Sequence, residues 1–392
     1  MAELPAAAWT ARPELARLVA ALGPGNARWV GGAVRDTLLG CEAHDIDAAT
    51  PLTPNEVIDR LEAAGIRTIP TGIDHGTVTA IVDGGNVEIT TLRKDVSTDG
   101  RRATVTFAGD WRDDAARRDF TINALYADPE TLEVFDYFGG VDDLAAGRVR
   151  FIGDSRARIR EDYLRILRYF RFQARFGSRL DAAAEAACAE LAPSLKGLSR
   201  ERVGWELQNL LAITDPAPTV VRMRALGVLQ VILPEAGERE AEALARLVAA
   251  EAADGVAPDP MRRLAALLPA VPPVAESVAA RLRLSKSQRG RLTCAAARDM
   301  RDGDDPRALA WAVGTDCATD RLLLTGGDPA PLAGWELPRF PLKGGEIVAR
   351  GVAAGPEVAR ILQSVEKQWV AHGFPGRDAV EALLAEELAR RG

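Results

Sequence analysis

The chain reads as an α+β protein, with a mixed sheet and helices in its N-terminal part and an all-α remainder. Two observations predict this. Alternating β-branched segments such as "TVTAIV" and "VEITTL" fall within the first 150 residues, whereas from about Arg156 onward Ala, Leu, Arg and Glu recur at helical spacing without strand alternation. Size supports the division: 392 residues exceed one comfortable hydrophobic core, and 47% hydrophobic residues suffice to build more than one. The expected division is 1–150, 151–215, 216–300 and 301–392, with breaks near Thr214–Thr219, Leu268–Pro273 and Thr325–Gly345, where Pro and Gly cluster.

The elements follow in order. Arg28–Val30 is a short strand, Gly31-Gly32 a turn, and Asp36–Leu39 the start of a helix stopped by Gly40; Ile46–Ala49 returns to strand. In "TPNEVIDRLEAAGI", Thr53 is the N-cap, Pro54 the first helical residue, Glu56 the other half of a capping box, and Gly65 lies past the end. Two strands flank Asp83-Gly84-Gly85-Asn86 as a hairpin. Thr104–Phe107 is a third strand, preceded by a polar stretch, Lys94–Arg102, expected to be a mobile loop. Ser285 and Gln288 suit a second capping box.

Composition narrows the classes. The opening segment lacks a signal peptide's basic start and apolar block, and no apolar run approaches a membrane span, so a cytoplasmic protein with no membrane association is expected. Cys41, Cys188, Cys294 and Cys317 lie far apart without a CxxC, which predicts reduced thiols and no zinc site. The net charge is −7, yet Arg148 to Arg179 holds ten arginines against Asp154, Glu161 and Asp162. Such a stripe suits phosphate, or is simply a solvated helix face.

The stretch "GGAVRDTLLGCEAHDID", Gly31 to Asp47, carries the first chemistry. Residues i and i+2 share a strand face, so Asp45 and Asp47 aim two carboxylates at one point, a pattern suited to Mg²⁺. Gly31 and Gly32 let backbone N–H groups approach a triphosphate, and Arg35 adds positive charge. Glu88, on the hairpin, completes the metal shell if its strand lies beside Asp47, or else faces solvent. Rival nucleotide sites fail. "GPGNAR" precedes a strand instead of following one, no GxxxxGK[ST] occurs, and His44, His75 and His372 are too few for a histidine-based metal cluster, so His44 and His75 are read as local hydrogen-bond formers.

Six motifs occur in order: "GGAVRDTLLGCEAHDID", "HGTVT", "RRDFTINALYAD", "FDYFGGVDDL", "EDYLRILRYFRF" and "LSRERVGWEL". Together they resemble the bacterial class II tRNA nucleotidyltransferase and poly(A) polymerase family, most closely over residues 28 to 210. The resemblance implies a polymerase-β-like nucleotidyltransferase head domain followed by helical neck, body and tail. It implies that Asp45 and Asp47 bind Mg²⁺, that Gly31, Gly32 and Arg35 meet the triphosphate, and that Arg118, Asp119 and Asn123 lie near the ribose. Asp162, Arg165, Arg168 and Arg171, beside Glu161, match the family's nucleotide-recognising helix.

That helix has its own logic. Asp162 and Arg165 at i and i+3 are expected to project from one helical face, one only accepting hydrogen bonds and the other only donating. Cytosine and adenine each present an amino donor beside a ring-nitrogen acceptor, and guanine and uracil present the reverse, so such a pair selects C and A. The competing reading is an ordinary i,i+3 ion pair.

"PTGIDHGTVT" resembles CCA-adding members, and the retained stretch "KDVSTDGRRATVTF" favours full CCA synthesis over CC addition. The expected activity is therefore addition of C, C and A to tRNA from CTP and ATP, with no protein partner implied. The tail, with Lys343, resembles RNA-contacting helices or is a packed cap. A poly(A) polymerase, a CC-adding enzyme and a non-catalytic RNA-binding protein stand as alternatives.

Overall fold

The structure, a computed structural model, describes residues 2–390 except 44, 74–75, 100–101, 108–109 and 178. The calls on His44 and His75 therefore lie outside the described residues. The chain divides into two units: Met1–Leu210 with Pro218–Ile232, and Leu211–Ala217 with Leu233–Gly392.

The first unit opens with α1 (Pro13–Leu22), β1 (Arg28–Val30), α2 (Gly32–Leu38), β2 (Ile46–Thr50) and α3 (Pro54–Ala63). It continues with β3 (Arg67–Gly72), β4 (Thr77–Val82), β5 (Gly85–Thr91), β6 (Arg93–Asp99) and β7 (Arg102–Phe107). After α4 (Trp111–Ala116) come β8 (Leu125–Ala127), β9 (Val134–Asp136) and α5 (Gly140–Ala145). Six helices complete it: α6 (Ser155–Glu161), α7 (Arg165–Phe176), α8 (Ala182–Leu191), α9 (Arg200–Leu211), α10 (Ala217–Ala225) and α11 (Val228–Ile232). Residues 211 and 217, the last of α9 and the first of α10, are counted with the second unit.

Seven strands form one sheet in the order β3-β4-β5-β2-β1-β8-β9, in which β2 and β5 pair in parallel and the other neighbours are antiparallel. The hairpin at Asp83-Gly84 joins β4 and β5, with Gly84 in the left-handed region that this turn requires. The Thr53 box is formed as its sequence requires: Glu56 N–H donates to Thr53 Oγ1, and Thr53 N–H donates to Glu56 Oε2 at 2.8 Å.

One expectation is overturned here. In its described part the stretch Lys94–Arg102 is not a loop: β6 pairs antiparallel with β7 in a separate two-stranded ribbon, from Arg93↔Phe107 to Asp99↔Arg102. Its polar composition hid a strand, because the sequence of β6 lacks the apolar alternation used to recognise one.

Behind the sheet centre, Val30, Ala49, Leu92, Ala115, Ala124, Tyr126 and Ile152 form a buried cluster, with Trp111, Phe135, Tyr137 and Phe138 packed against it. A second cluster, aromatic, joins sheet to helices: Phe120 lies 4.8 Å from Phe151 and 5.4 Å from Phe172, and Phe151 stacks on Tyr169 at 5.8 Å. These contacts dock α7 against the segment that carries Arg118 and Asp119.

The second unit is helical: α12 (Glu238–Ala253), α13 (Pro260–Ala266), α14 (Pro272–Arg281), α15 (Lys286–Ala296), α16 (Pro306–Val313), α17 (Thr315–Thr325), α18 (Gly344–Val348), α19 (Pro356–Ala371) and α20 (Arg377–Ala389). Within it Arg262 and Arg263 are buried, and both pair with Glu251 while Arg262 also reaches Asp320. The expectation of reduced thiols fails for two cysteines. Cys294 on α15 and Cys317 on α17 form a disulfide, because these two helices pack side by side and bring together residues 23 apart in sequence. The absence of a CxxC spacing says nothing about such a long-range pair. Cys41 is free and exposed, and Cys188 free and buried. Among the described residues, no helix is long and apolar enough to cross a membrane.

Candidate active site

The register of the sheet builds the site. In β2, Asp47 lies between Val30 of β1 and Glu88 of β5. The ladder of β1 with β2 ends at this Val30–Asp47 pair, and the chain then turns at Gly31 into α2, which begins at Gly32. Gly31 has φ 72°, where a side chain would be strained, and its N–H donates to Leu125 O at 3.1 Å. A Cβ there would stand 3.5 Å from Arg118 Nη1. The diglycine thus brings backbone, the Asp47 carboxylate and an arginine into one small region.

A cavity of about 380 Å³ opens at this point, lined by Gly31, Gly32, Arg35, Asp47, Arg118, Asp119, Asn123, Asp162, Arg165, Arg168 and Phe172. Three residues expected at the site are not in its wall. Asp45 is exposed and precedes β2 at a bend, so the two aspartates do not both sit on the strand. Glu88 is exposed on β5 beside Asp47. Arg171 turns away, its Nε donating to the buried Glu206 at 2.7 Å.

The wall is a continuous polar network. Arg35, 5% exposed, donates from Nε to Asp36 at 2.8 Å and from Nη1 to Asn123 Oδ1 at 2.5 Å. Asn123 Nδ2 donates to Asp119 Oδ1 at 3.0 Å, and Arg168 Nε to Asp119 Oδ2 at 2.7 Å. Burial alone would raise the Asp119 carboxyl, but Arg168, Asn123 and Arg165 outweigh it and hold it below the usual carboxylate range. Arg118 is fixed from behind. Its Nη2 meets Asp114 Oδ2 at 3.3 Å and its Nε donates to Tyr126 Oη at 3.1 Å, while the Tyr126 hydroxyl donates to Asp114 at 2.6 Å.

Asp162 and Arg165 correct the helical-face expectation. α6 ends at Glu161, Asp162 is extended, and α7 begins at Arg165, so the two are not on one helix. Nor do they pair with each other as the competing reading required. Arg202 Nη2 donates to Asp162 at 2.6 Å, and Arg165 Nη1 donates to Glu161 at 2.5 Å, yet both residues line the same cavity. The arginine stripe is likewise mostly spoken for: Arg148 and Arg150 meet Asp143, Arg156 and Arg160 meet Glu190, Arg158 meets Glu161, and Arg175 meets Asp36. It is a scaffold of ion pairs around the cavity more than an open basic face.

Five functional neighbours had escaped the motif reading: Asp114, Tyr126, Phe172, Arg202 and Glu206. Asp114 carried a signal, since it precedes Arg118 by four residues at a helix end. Arg202 and Glu206 sit inside "LSRERVGWEL" but 40 and 35 residues from their partners Asp162 and Arg171, a separation no local pattern reveals.

Residues 27–150 match the Poly A polymerase head domain family, and residues 179–238 match the family described as "Probable RNA and SrmB- binding site of polymerase A". The mitochondrial CCA tRNA nucleotidyltransferase 1 of Homo sapiens is 38% identical over 368 residues, covering 88% of this chain and 83% of that one. The chain belongs to the CCA tRNA nucleotidyltransferase family. A CCA-adding enzyme of Leuconostoc mesenteroides is 43% identical over 188 residues, 47% of this chain and 46% of that enzyme. Family members thus include animal as well as bacterial proteins. Among solved structures, the Bacillus stearothermophilus CCA-adding enzyme in complex with CTP superposes with a TM-score of 0.77 and 26% identity over 97% of this chain and 99% of that one. The Thermotoga maritima CCA-adding enzyme complexed with tRNA shares the fold at a TM-score of 0.71 and 21% identity, over 100% of both chains.

Metal fits this family site on its chemistry. Burial pushes the Asp47 carboxyl up to about 6, and the nearby Glu88 and Asp45 charges push it the same way, with Arg118 opposing them. An anionic patch with oxygen donors only suits a hard divalent cation. Among the described residues no group of three His, Cys, Asp or Glu side chains forms a metal cage.

Proposed function

We propose that this protein is a CCA-adding tRNA nucleotidyltransferase that transfers C, C and A in turn from CTP and ATP to the tRNA 3′-OH, releasing pyrophosphate. The observation that carries the reading is one cavity into which Arg35, Asp47, Asp119, Asp162 and Arg165 all open. Gly31 and Gly32 let the triphosphate approach the backbone, where the Gly32 N–H and the Arg35 guanidinium bind it. Arg118, Asp119 and Asn123 hold the ribose side. Asp162 accepts and Arg165 donates at the base edge, so C and A fit and G and U do not. Arg168 orients Asp119, and Arg171 acts through Glu206 of α9, which also meets Arg168.

Asp45 and Asp47, with Glu88 beside them, are the residues that would hold Mg²⁺, which when bound lowers the cost of charge on the attacking and leaving oxygens. The division into head (1–150), neck (151–215), body (216–300) and tail (301–392), the bacterial class II affiliation and a cytoplasmic location belong to the same reading. The motif order and the Bacillus stearothermophilus superposition support the first two.

Incubation with Mg²⁺ and a tRNA lacking its CCA, given CTP, ATP or both, tests the reading on a sequencing gel. Two additions with CTP and a third only with both establish CCA synthesis. A long ladder with ATP alone makes it a poly(A) polymerase, two additions without a third make it a CC-adding enzyme, and RNA binding without turnover makes it a non-catalytic protein.

A further inference from the structure

Phe172 is the one member of the cavity wall without a polar group to offer, and three guanidinium groups gather over its ring. Arg171 lies 4.5 Å from the ring centroid, Arg35 5.3 Å and Arg168 5.5 Å. One turn along α7, Phe176 stacks on Phe172 at 6.0 Å and 19°. Phe176 in turn meets Arg35 at 4.5 Å and Arg175 at 4.7 Å. Two rings at i and i+4 therefore collect four cations, with Arg35 shared between them and supplied by a different helix, α2.

Four guanidinium groups in one region repel one another before any ligand arrives. Asp36, Asp119 and Glu206 relieve this in part, each accepting from one or two of them. Carboxylates do so at a cost to function, because they occupy the in-plane N–H donors that a phosphate also needs. An aromatic ring attracts the cation through its quadrupole and uses no N–H donor at all. The ring pair can therefore hold arginines against their mutual repulsion while leaving donors for a ligand.

We infer that Phe172, backed by Phe176, is a positioning residue for the triphosphate of the incoming nucleotide, holding Arg35 and Arg168, the two of these arginines that line the cavity, in an arrangement that a polyphosphate meets ready-formed, with Arg171 behind the ring on Glu206. The inference rests on the nucleotidyl-transfer reading of the cavity and adds to it a separation of tasks. Phe172 acts on the polyphosphate and leaves base choice to Asp162 and Arg165. CTP and ATP must then suffer equally when the ring is lost.

The experiment compares Phe172→Leu and Phe172→Tyr with the unaltered full-length chain. It reads KM and kcat for CTP and ATP, calorimetric Kd for CTP, CMP and inorganic tripolyphosphate, and Tm. Phe172→Leu is expected to weaken CTP, ATP and tripolyphosphate by one common factor of roughly five- to thirtyfold, and CMP by much less. Phe172→Tyr keeps the quadrupole and restores affinity. Unchanged tripolyphosphate binding, equal losses for CTP and CMP, or a failure of tyrosine to rescue each overturns the inference. If Phe172→Leu does not fold, Phe176→Leu removes only the far ring and carries the same pattern at roughly two- to threefold; its absence also overturns it. If the unaltered protein incorporates neither nucleotide, the functional reading fails on its own, and the tripolyphosphate comparison still decides the role of the ring.

Discussion

Asp162 and Arg165 line one cavity while each is held by a different partner: Arg202 grips the Asp162 carboxylate at 2.6 Å, and Glu161 accepts from Arg165 at 2.5 Å. A direct ion pair between them would have spent the acceptor and the donor on each other. Held apart, both keep free hydrogen-bonding capacity toward a base. Asp162→Ala is expected to relax the preference for CTP and ATP over UTP and GTP. Arg202→Met should do the same to a smaller extent, on the order of tenfold, by freeing Asp162 to rotate. Competition assays with all four nucleotides check both. Unaltered selectivity in Asp162→Ala would refute the base-reading role.

Asp47 sits at a site that charge makes costly. Burial and the Glu88 and Asp45 charges all work against its ionised form, with Arg118 the counterweight. Sites that carry such a penalty are kept for chemistry. Asp47→Asn is expected to lower kcat by on the order of a thousandfold or more, since metal-based charge stabilisation is worth several kcal/mol. In the presence of a chelator its Tm should be equal to or above that of the unaltered chain, because a repulsive carboxylate has been removed. A Tm well below it, with activity retained, would show a structural aspartate instead.

Most of this site was legible because its chemistry is clustered in sequence. Gly31 to Asp47 brings a turn, Arg35 and Asp47 within one stretch, and Arg118 to Asn123 brings three more lining residues. What stayed hidden depended on tertiary pairing. Asp162 and Arg165 look like helical neighbours at i and i+3, but the chain leaves α6 just before Asp162, whose carboxylate accepts from the Leu164 N–H at 3.0 Å and shapes the turn into α7. β6, unlike the Thr104–Phe107 strand it pairs with, lacks the one-sided apolar pattern by which strands are recognised. Ion pairs such as Arg171 with Glu206 tie α7 to α9, and no spacing rule connects residues 35 apart.

Acid should loosen the clamp behind Arg118. Burial would raise the Asp114 carboxyl, but Arg118, Arg117 and the Tyr126 hydroxyl together hold it below its usual value. A carboxyl depressed in the folded state contributes stability that is complete above its unfolded pKa, about 4, and is lost as pH falls through the lower folded value. Unfolding midpoints in urea measured between pH 6 and 2 should therefore fall for the unaltered chain. Asp114→Asn should show a flatter dependence over the same range. It should also cost roughly 3–5 kcal/mol at pH 7, because Arg118 and Arg117 are left without their buried partner. A parallel pH dependence in the two proteins would remove Asp114 from the clamp.

Cys294 and Cys317 close a loop of 23 residues between α15 and α17. Restricting the unfolded chain by a loop of that length is worth about 3 kcal/mol. Reductant should therefore lower the Tm of the unaltered chain, and Cys294→Ser with Cys317→Ser should sit at the reduced value and ignore reductant. Thiol counts give an independent check. Before reduction, a thiol reagent should modify Cys41 alone in the folded protein, since Cys188 is buried and its burial disfavours the thiolate. Denatured without reductant the chain should yield two thiols, and with reductant four. Four thiols without reductant would show that the pair is reduced in the purified protein, and the expected stabilisation would then be absent.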